Sequence, residues 1–275
     1  MPAELTPPEH QIGFPMSTLE NKIAIVTGAS RGLGEGIAVE LARRGATIVC
    51  ADLHSAEDTA ATLQSAGSPK SSSAKVDVSS AASVDELVGS TVETHGRLDI
   101  MVNNAGIYTY GAIADVTDED FRRTMDVNIG GVFNGSRAAA RVMKEQKSGR
   151  IINTASQLGK LARPNEGVYS ASKAAVILMT QALGLELAPF NITVNAICPG
   201  CMYTEMMEKS FAEIAQSEGI TLEQKLQDYL DAKIPTGRFG TLDDMGRMVA
   251  WLASDEASFT TGSALNLTGG EQVFF

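Results

Sequence analysis

The chain has 275 residues, of which 44% are hydrophobic and 20% charged, with a formal net charge of −11. That length suits one large α/β domain or two small ones, with a sizeable core either way. The acidic balance argues against nucleic acid or an anionic membrane surface as partner, since either needs a basic face, and no apolar run in the sequence approaches a membrane-spanning length.

The amino terminus, MPAELTPPEHQIGFPMSTLENK, is Pro-rich and polar, with neither the basic start nor the apolar centre of a secretory signal. Residues 1–18 read as a flexible leader, and Met16 offers a second start. From there short apolar runs alternate with amphipathic stretches. KIAIVTG (22–28), TIVCADL (47–53), SAKVDV (73–78), LDIMVNNAG (98–106), GRIINTAS (149–156), ITVNAICPG (192–200) and SALNLTGG (263–270) read as strands. GEGIAVELARRG, SVDELVGSTVETHG, DEDFRRTMDVNIGGVFNGSRAAARVMKEQ, SASKAAVILMTQALGLELAPF and DDMGRMVAWLAS read as helices, the third of them opened by a capping box at Thr117 and Asp120. Strands that are apolar throughout, separated by helices, belong to a parallel sheet covered on both faces. The expected fold class is therefore α/β, a doubly wound parallel sheet in a single domain over 19–275. Residues 202–235 break the rhythm with two helical stretches and no strand between them. An insertion just after a strand's carboxyl end is where a small substrate lid belongs.

The first strand runs directly into TGASRGLGEGIAVELA, which sets Gly28, Gly32 and Gly34 at a strand-to-helix junction. Glycine there lets the backbone turn tightly and approach a pyrophosphate, whose charge then sits on the helix amino terminus. Placed at the start of a βαβ run, the pattern marks a dinucleotide site. Asp52 ends the second strand, eighteen residues past Gly34. A carboxylate there accepts hydrogen bonds from the adenosine ribose hydroxyls and repels a 2′-phosphate, which favours NAD. Arg31 in the loop pulls toward NADP, because a guanidinium can pair with that phosphate. The carboxylate in direct contact outweighs a mobile Arg, so NAD is expected ahead of NADP.

VYSASKAAV (168–176) places Tyr169 and Lys173 four apart, on one face of a helix. A second such pair, Tyr229 and Lys233 in YLDAK, falls in the 202–235 insertion. Three cysteines fit a reducing cytoplasm, the expected location. Cys198 and Cys201 form CPGC, nominally a redox motif or half a zinc site, but there is no second Cys pair and the histidines are His10, His54 and His95. Two small residues around a tight turn is the better reading, and no metal is expected.

The ordered motifs resemble the short-chain dehydrogenase/reductase family over about residues 19–270. They are TGASRGLG at 27–34, Asp77 in VDVSS, NNAG at 103–106, Asn128 in MDVNIGG, Ser156 in INTASQLG, YSASK at 169–173, PGCMYT at 199–204, and the closing FGTLDDMGRMVAWLASDEASFTTGSALNLTGG. The resemblance implies a Rossmann fold and a catalytic set of Ser156, Tyr169, Lys173 and Asn128. A phenol with a pKa near ~10 is a poor base at neutral pH. A nearby ammonium, joined by the positive charge of oxidised nicotinamide, lowers that value, so Tyr169 can take a proton in oxidation or give one in reduction. Ser156 would hold the substrate oxygen where charge develops. Lys173 would also bind the nicotinamide ribose, and Asn128 would hold a water linking Lys173 to solvent. For the cofactor the resemblance implies Gly28, Ser30, Arg31, Gly32, Leu33 and Gly34 in the loop, and Asp52 with Leu53 after the second strand. It adds Asp77 or Val78 at the adenine, the turn at Asn104, Ala105 and Gly106, then Pro199, Gly200, Met202 and Thr204. Ser156, thirteen residues upstream of Tyr169, singles out that pair as catalytic and leaves Tyr229 on the lid surface.

Gln157, Asn165, Glu166 and Cys201 are polar groups beside the catalytic pair, and such groups suit a hydroxyl-rich substrate. The lid and the LNLTGGEQVF tail resemble members that oxidise sugar alcohols and small diols. Oxidation of a polyol, sugar or other secondary alcohol with NAD is therefore expected. The alternatives are an NADPH-dependent 3-oxoacyl-thioester reductase, for which Arg122, Arg123, Arg137 and Arg141 would supply a basic docking face, and a catalytically silent dinucleotide-binding regulator. The resemblance further implies a homotetramer built on helical stretches 119–146 and 170–188, with Phe274 and Phe275 packing on a neighbouring subunit.

Overall fold

The first apolar run forms strand β1 (Ile23–Thr27), and all five of its residues are buried, as a strand covered on both faces requires. The computed structural model describes residues 18–68 and 70–273; most of the leader, together with Phe274 and Phe275, lies outside the described residues. β1 pairs in parallel with β2 (Thr47–Asp52) on one side and β4 (Ile100–Asn103) on the other. With β3 (Ser72–Lys75), β5 (Gly149–Thr154), β6 (Ile192–Pro199) and β7 (Ala264–Leu267), the sheet runs β3-β2-β1-β4-β5-β6-β7, parallel throughout. The strand order reverses between β1 and β4, which opens a crevice at their carboxyl ends where ligands bind in such sheets.

Two cores lie on opposite faces of the sheet. One packs α1 (Gly32–Arg43), α2 (Glu57–Ser65) and α9 (Leu242–Ala253) through Ile37, Leu41, Leu63, Met245, Val249 and Leu252. The other packs α3 (Ala81–His95), α5 (Gly131–Gln146) and α6 (Gly167–Leu187) through Val84, Leu87, Ala139, Met143 and Leu187. A buried polar chain ties the second face to the sheet. The Asn103 amide donates to Ser136 Oγ (3.1 Å) and Asn153 Oδ1 (2.8 Å), and the Asn153 amide donates to Thr180 Oγ1 (2.9 Å). Satisfied buried groups of this kind fix one register of β4 against β5 and of α5 and α6 upon them.

The structure departs from the sequence expectations in four places. α2 is an additional helix, short and polar, whose Thr59, Ala60 and Leu63 are buried. The single helix expected over 118–146 is broken into α4 (Asp118–Met125), a π-helical turn at Asp126–Gly130, and α5. The insertion forms α7 (Glu205–Glu218) and α8 (Leu222–Lys233), capped by Thr204 and Thr221, but Tyr229 is half-buried, its hydroxyl turned to Glu271. Finally, α6 and its continuation to Phe190 make a helix long and apolar enough, by length and composition, to cross a bilayer, contrary to the expectation. In the fold its Val168, Val176, Ile177 and Leu187 are buried against the sheet.

Candidate active site

The loop after β1 is shaped by its glycines. Gly28 and Gly32 have φ of +67° and +61°, a region that ordinary side chains avoid. A Cβ on Gly34 would stand 1.9 Å from the Gly28 carbonyl oxygen, and one on Gly28 would meet Ala105 Cα at 2.9 Å. These two glycines therefore serve tight packing of loop, helix and β4. Gly32 differs: a Cβ there would have no described atom within 4 Å, so open space faces its backbone. Arg31, the residue before α1, makes no side-chain cap among the described residues. The first amides of the helix thus stay available to an anion, and the loop fits a dinucleotide pyrophosphate. Asn104 braces the loop from behind. Its backbone N–H donates to Thr27 Oγ1 (3.0 Å) and its amide to the Thr27 carbonyl (3.1 Å), while Ala105 N–H also reaches Thr27 Oγ1 (3.1 Å).

Asp52 is held at the end of β2 by two backbone donors: Ser30 N–H to one carboxylate oxygen (3.1 Å) and His54 N–H to the other (3.0 Å). The carboxylate is therefore anchored against the glycine loop. Arg31 sits near a different partner. The Glu205 carboxyl is held below its ordinary value, chiefly by Lys209 and with a smaller contribution from Arg31. Leu53 is exposed. Asp77 is also exposed, its carboxylate accepting from Ser79 N–H (3.0 Å) and Ser79 Oγ (2.6 Å), and the Val78 carbonyl takes the Asn134 amide (3.0 Å). The Met202 side chain is buried in the core, and its backbone forms an isolated bridge with Gly240. Gly200 continues β6, its N–H donating to Leu267 O (2.9 Å), and Thr204 Oγ1 accepts from Met207 N–H (3.2 Å).

The end of β5 and the first turns of α6 converge on one point. Leu158 N–H donates to Ser156 Oγ (3.1 Å), which leaves the Ser156 hydroxyl to hydrogen-bond the Tyr169 phenol. Lys173, one turn further along α6, is 4% exposed. Its Nζ donates to the Thr154 carbonyl (2.8 Å) and lies 5.7 Å from the centre of the Tyr169 ring. Asn128 sits on the π-helical turn, fully buried. Its amide donates to the Ile107 carbonyl (2.9 Å) and Ser172 Oγ (3.0 Å), and its Oδ1 accepts Ile107 N–H (2.8 Å). Both amide protons are spent, so this side chain positions the loop after β4 against α6. A π-helical turn is a recurrent device for such sites.

Electrostatically the pair differs from the simple expectation. Burial pushes the Tyr169 phenol up to about 12, with the Ser156 hydrogen bond pulling down and the charge of Glu166 adding to the rise. Burial also brings the Lys173 ammonium down to about 8. Desolvation of the phenol outweighs the Ser156 hydrogen bond that favours its charged form.

A second cluster forms around the carboxyl-terminal tail. The Glu271 carboxylate, its side chain 1% exposed, accepts from Arg163 (2.8 Å), Tyr229 Oη (2.7 Å) and Cys201 N–H (3.1 Å). Burial would raise it, but hydrogen bonds from Tyr229, Arg163 and Gln157 prevail and hold it below its ordinary value. Tyr229 is therefore a partner of the tail, packed edge-on against Phe211 and alongside Phe239. Its pairing with Lys233 has no counterpart to Ser156. Arg163 and Glu271 escaped the sequence reading; they stand 108 residues apart and neither belongs to a spaced motif. Burial also pushes the Cys201 thiol up to about 12, too high for a reactive thiolate. Of the other polar candidates, the Asn165 amide donates to Tyr110 Oη (3.1 Å) and Glu166 accepts from Tyr108 Oη (2.5 Å).

A family model described as Enoyl-(Acyl carrier protein) reductase matches residues 28–272. Galactitol 2-dehydrogenase of Agrobacterium fabrum is 37% identical over 253 residues, covering 92% of this chain and 98% of that protein. The 3-oxoacyl-[acyl-carrier-protein] reductase of Thermotoga maritima is 34% identical, with 92% and 98% covered. Among solved structures, NAD+-bound xylitol dehydrogenase matches with a TM-score of 0.82 at 33% identity, over 91% of this chain and 99% of that one.

Proposed function

Since the chain belongs to the short-chain dehydrogenase/reductase family and is an oxidoreductase acting on CH–OH groups, we propose that it oxidises a polyol, sugar or other secondary alcohol with NAD. The observation that carries the cofactor preference is Asp52, whose carboxylate is pinned by Ser30 and His54 beside the glycine loop, where a 2′-phosphate would meet its charge. The bound nicotinamide supplies the hydride acceptor in oxidation and the donor in reduction. Gly28, Ser30, Gly32 and Gly34 would hold its pyrophosphate, Asp52 the adenosine ribose and Lys173 the nicotinamide ribose. Tyr169 exchanges a proton with the substrate oxygen, and Ser156 orients that oxygen. The Lys173 ammonium feeds the exchange, and Asn128 keeps the loop after β4 in place beside it.

The similarity to galactitol 2-dehydrogenase and to NAD+-bound xylitol dehydrogenase supports this substrate class. The thioester-reductase reading needs a basic docking face, and the arginines that would build it are largely engaged. Arg122 pairs with Asp118 (3.0 Å), Arg141 lies 3.8 Å from Asp85, and Arg137 stacks on Phe133. Initial rates with NAD and a polyol panel, set against NADPH and an acetoacetyl thioester, decide between them; turnover with the thioester pair alone would overturn the proposal. An Asp52→Ala variant should bind NAD roughly ten- to a hundredfold more weakly, the scale of hydrogen bonds to a charged group, with little loss for NADP. Fluorescence titration of both cofactors checks this, and equal losses for the two would refute the assigned role.

We also propose that the protein assembles as a homotetramer through α5 and α6, which expose Phe133, Leu178 and Leu185. Exposed apolar side chains on adjoining helices mark an association surface. Leu185→Arg should shift the mass in solution to a smaller species by light scattering; an unchanged mass would place the interface elsewhere.

A further inference from the structure

Beside the catalytic pair stands a second phenol and carboxylate that the proton exchange at Tyr169 leaves unused. Glu166 caps the start of α6, three residues before Tyr169. Tyr108 comes from the loop that Asn128 holds through Ile107. The Tyr108 hydroxyl donates to Glu166 Oε1 at 2.5 Å, and its ring meets the Tyr169 ring edge-on with centroids 5.0 Å apart. The pair is thus built against the residue that touches the reacting oxygen.

A count of protons shows what this pair can offer a ligand. Burial and the neighbouring Glu166 raise the Tyr108 phenol well above its ordinary value, so it keeps its proton, and that proton is committed to Glu166. The Tyr108 oxygen is left with lone pairs only. Glu166 Oε2 is buried and has no hydrogen-bond donor among the described residues. The preceding residue's amide, on Asn165, spends one of its two N–H groups on Tyr110. Each free valence of the Tyr108–Glu166 pair is an acceptor, and the local charge is negative. A buried acceptor without a donor is costly, and a ligand that supplies the donor recovers that cost.

We propose that Tyr108 and Glu166 form an acceptor-only subsite that selects substrates carrying a second hydroxyl close to the reacting carbon. The proposal rests on the alcohol-oxidising function above and narrows it from secondary alcohols to diols and polyols. A monohydric alcohol leaves the subsite's acceptors unpaired. A 3-oxoacyl thioester brings a carbonyl, lone pair against lone pair, and a carboxylate or phosphate is repelled by the Glu166 charge.

The test compares 2,3-butanediol with 2-butanol as substrates for the wild-type protein, Glu166→Gln and Tyr108→Phe, each with NAD and with kcat and KM resolved. Gln keeps the shape of Glu but turns part of the subsite into a donor; Phe keeps the ring on Tyr169 and removes the oxygen. The diol-to-monoalcohol ratio of kcat/KM should fall roughly tenfold or more in Glu166→Gln, mainly through the KM for the diol, and fall less in Tyr108→Phe. Displacement of the diol from the protein–NADH complex, followed by nicotinamide fluorescence, should show the same order without turnover, and thermal melting confirms that the variants fold. A ratio unchanged in both variants, or a uniform fall in kcat for both alcohols, would overturn the subsite while leaving the alcohol-oxidising function standing. Wild-type protein that reduces NAD with neither alcohol nor any polyol would overturn that function and the subsite with it.

Discussion

Replacing Tyr169 with Phe is expected to lower kcat by roughly 10²- to 10⁴-fold, the contribution of a positioned acid–base group, while NAD binds as before. The change removes one oxygen and keeps the ring, which meets Tyr108 edge-on. The hydroxyl's partner is Ser156, so loss of fold is not the expected cost. Burial pushes the phenol up to about 12 by disfavouring its charged form. It is therefore a proton donor near neutrality, ready for reduction. Oxidation needs the phenolate, and the charge of bound oxidised nicotinamide must bring the phenol down for that. Steady-state rates in both directions, with NAD affinity measured separately, check the prediction. A variant retaining a tenth or more of wild-type kcat would remove Tyr169 from the proton path.

Lys173→Met should be nearly as damaging, by roughly 10²-fold or more in kcat, and should weaken the dinucleotide as well. The wild-type ammonium is buried, donates to the Thr154 carbonyl, and is brought down to about 8 by desolvation. The sign of the pH effect follows. The ammonium is present below about pH 8 and lost above it, so the supply of protons for reduction is full on the acid side and drained on the alkaline side. Reduction by the wild-type protein should be level below pH 8 and decline above it. The variant should be slow on both sides with no break at that point. A wild-type reduction rate that rises through pH 8 would contradict the assigned role of Lys173.

Much of this site is legible in the sequence. Strands buried on both faces are apolar throughout, so runs such as IAIVT and ITVNAICP announce themselves, whereas the edge strands SSAK and ALNL contain no buried residue. The glycine loop was legible because its residues answer to a local need, tight turning and close approach, and Tyr169 and Lys173 because four residues make one helix face. What stayed hidden was set by contacts distant in sequence. α2 is short and polar, and it is helical because Thr59, Ala60 and Leu63 meet the sheet, a tertiary reward that periodicity does not record. The π-helical turn at Asp126–Gly130 needs only an extra residue in one turn, which a 3.6-residue pattern absorbs unseen, yet it is what places Asn128. Glu271 gathers Arg163, Cys201 and Tyr229 from three other segments, and no spacing rule joins them. For the same reason Tyr229, taken from sequence as lid surface, turns out to be held inward by the carboxyl-terminal tail. The raised phenol of Tyr169 was likewise invisible, since the sequence shows the ammonium four residues away but not the burial that sets the phenol's shift.

The central claim is that hydride leaves a carbon bearing a hydroxyl on a polyol and reaches NAD while Tyr169 carries the proton. The most direct measurement follows deuterium from the carbinol carbons of labelled 2,3-butanediol into the cofactor by mass spectrometry, with wild-type protein and Tyr169→Phe side by side. The account predicts one deuterium on the reduced nicotinamide for each ketone formed by the wild-type protein, and almost none with the variant. Label that moves only from a 3-hydroxyacyl thioester to NADP, with none from the diol to NAD, would contradict it.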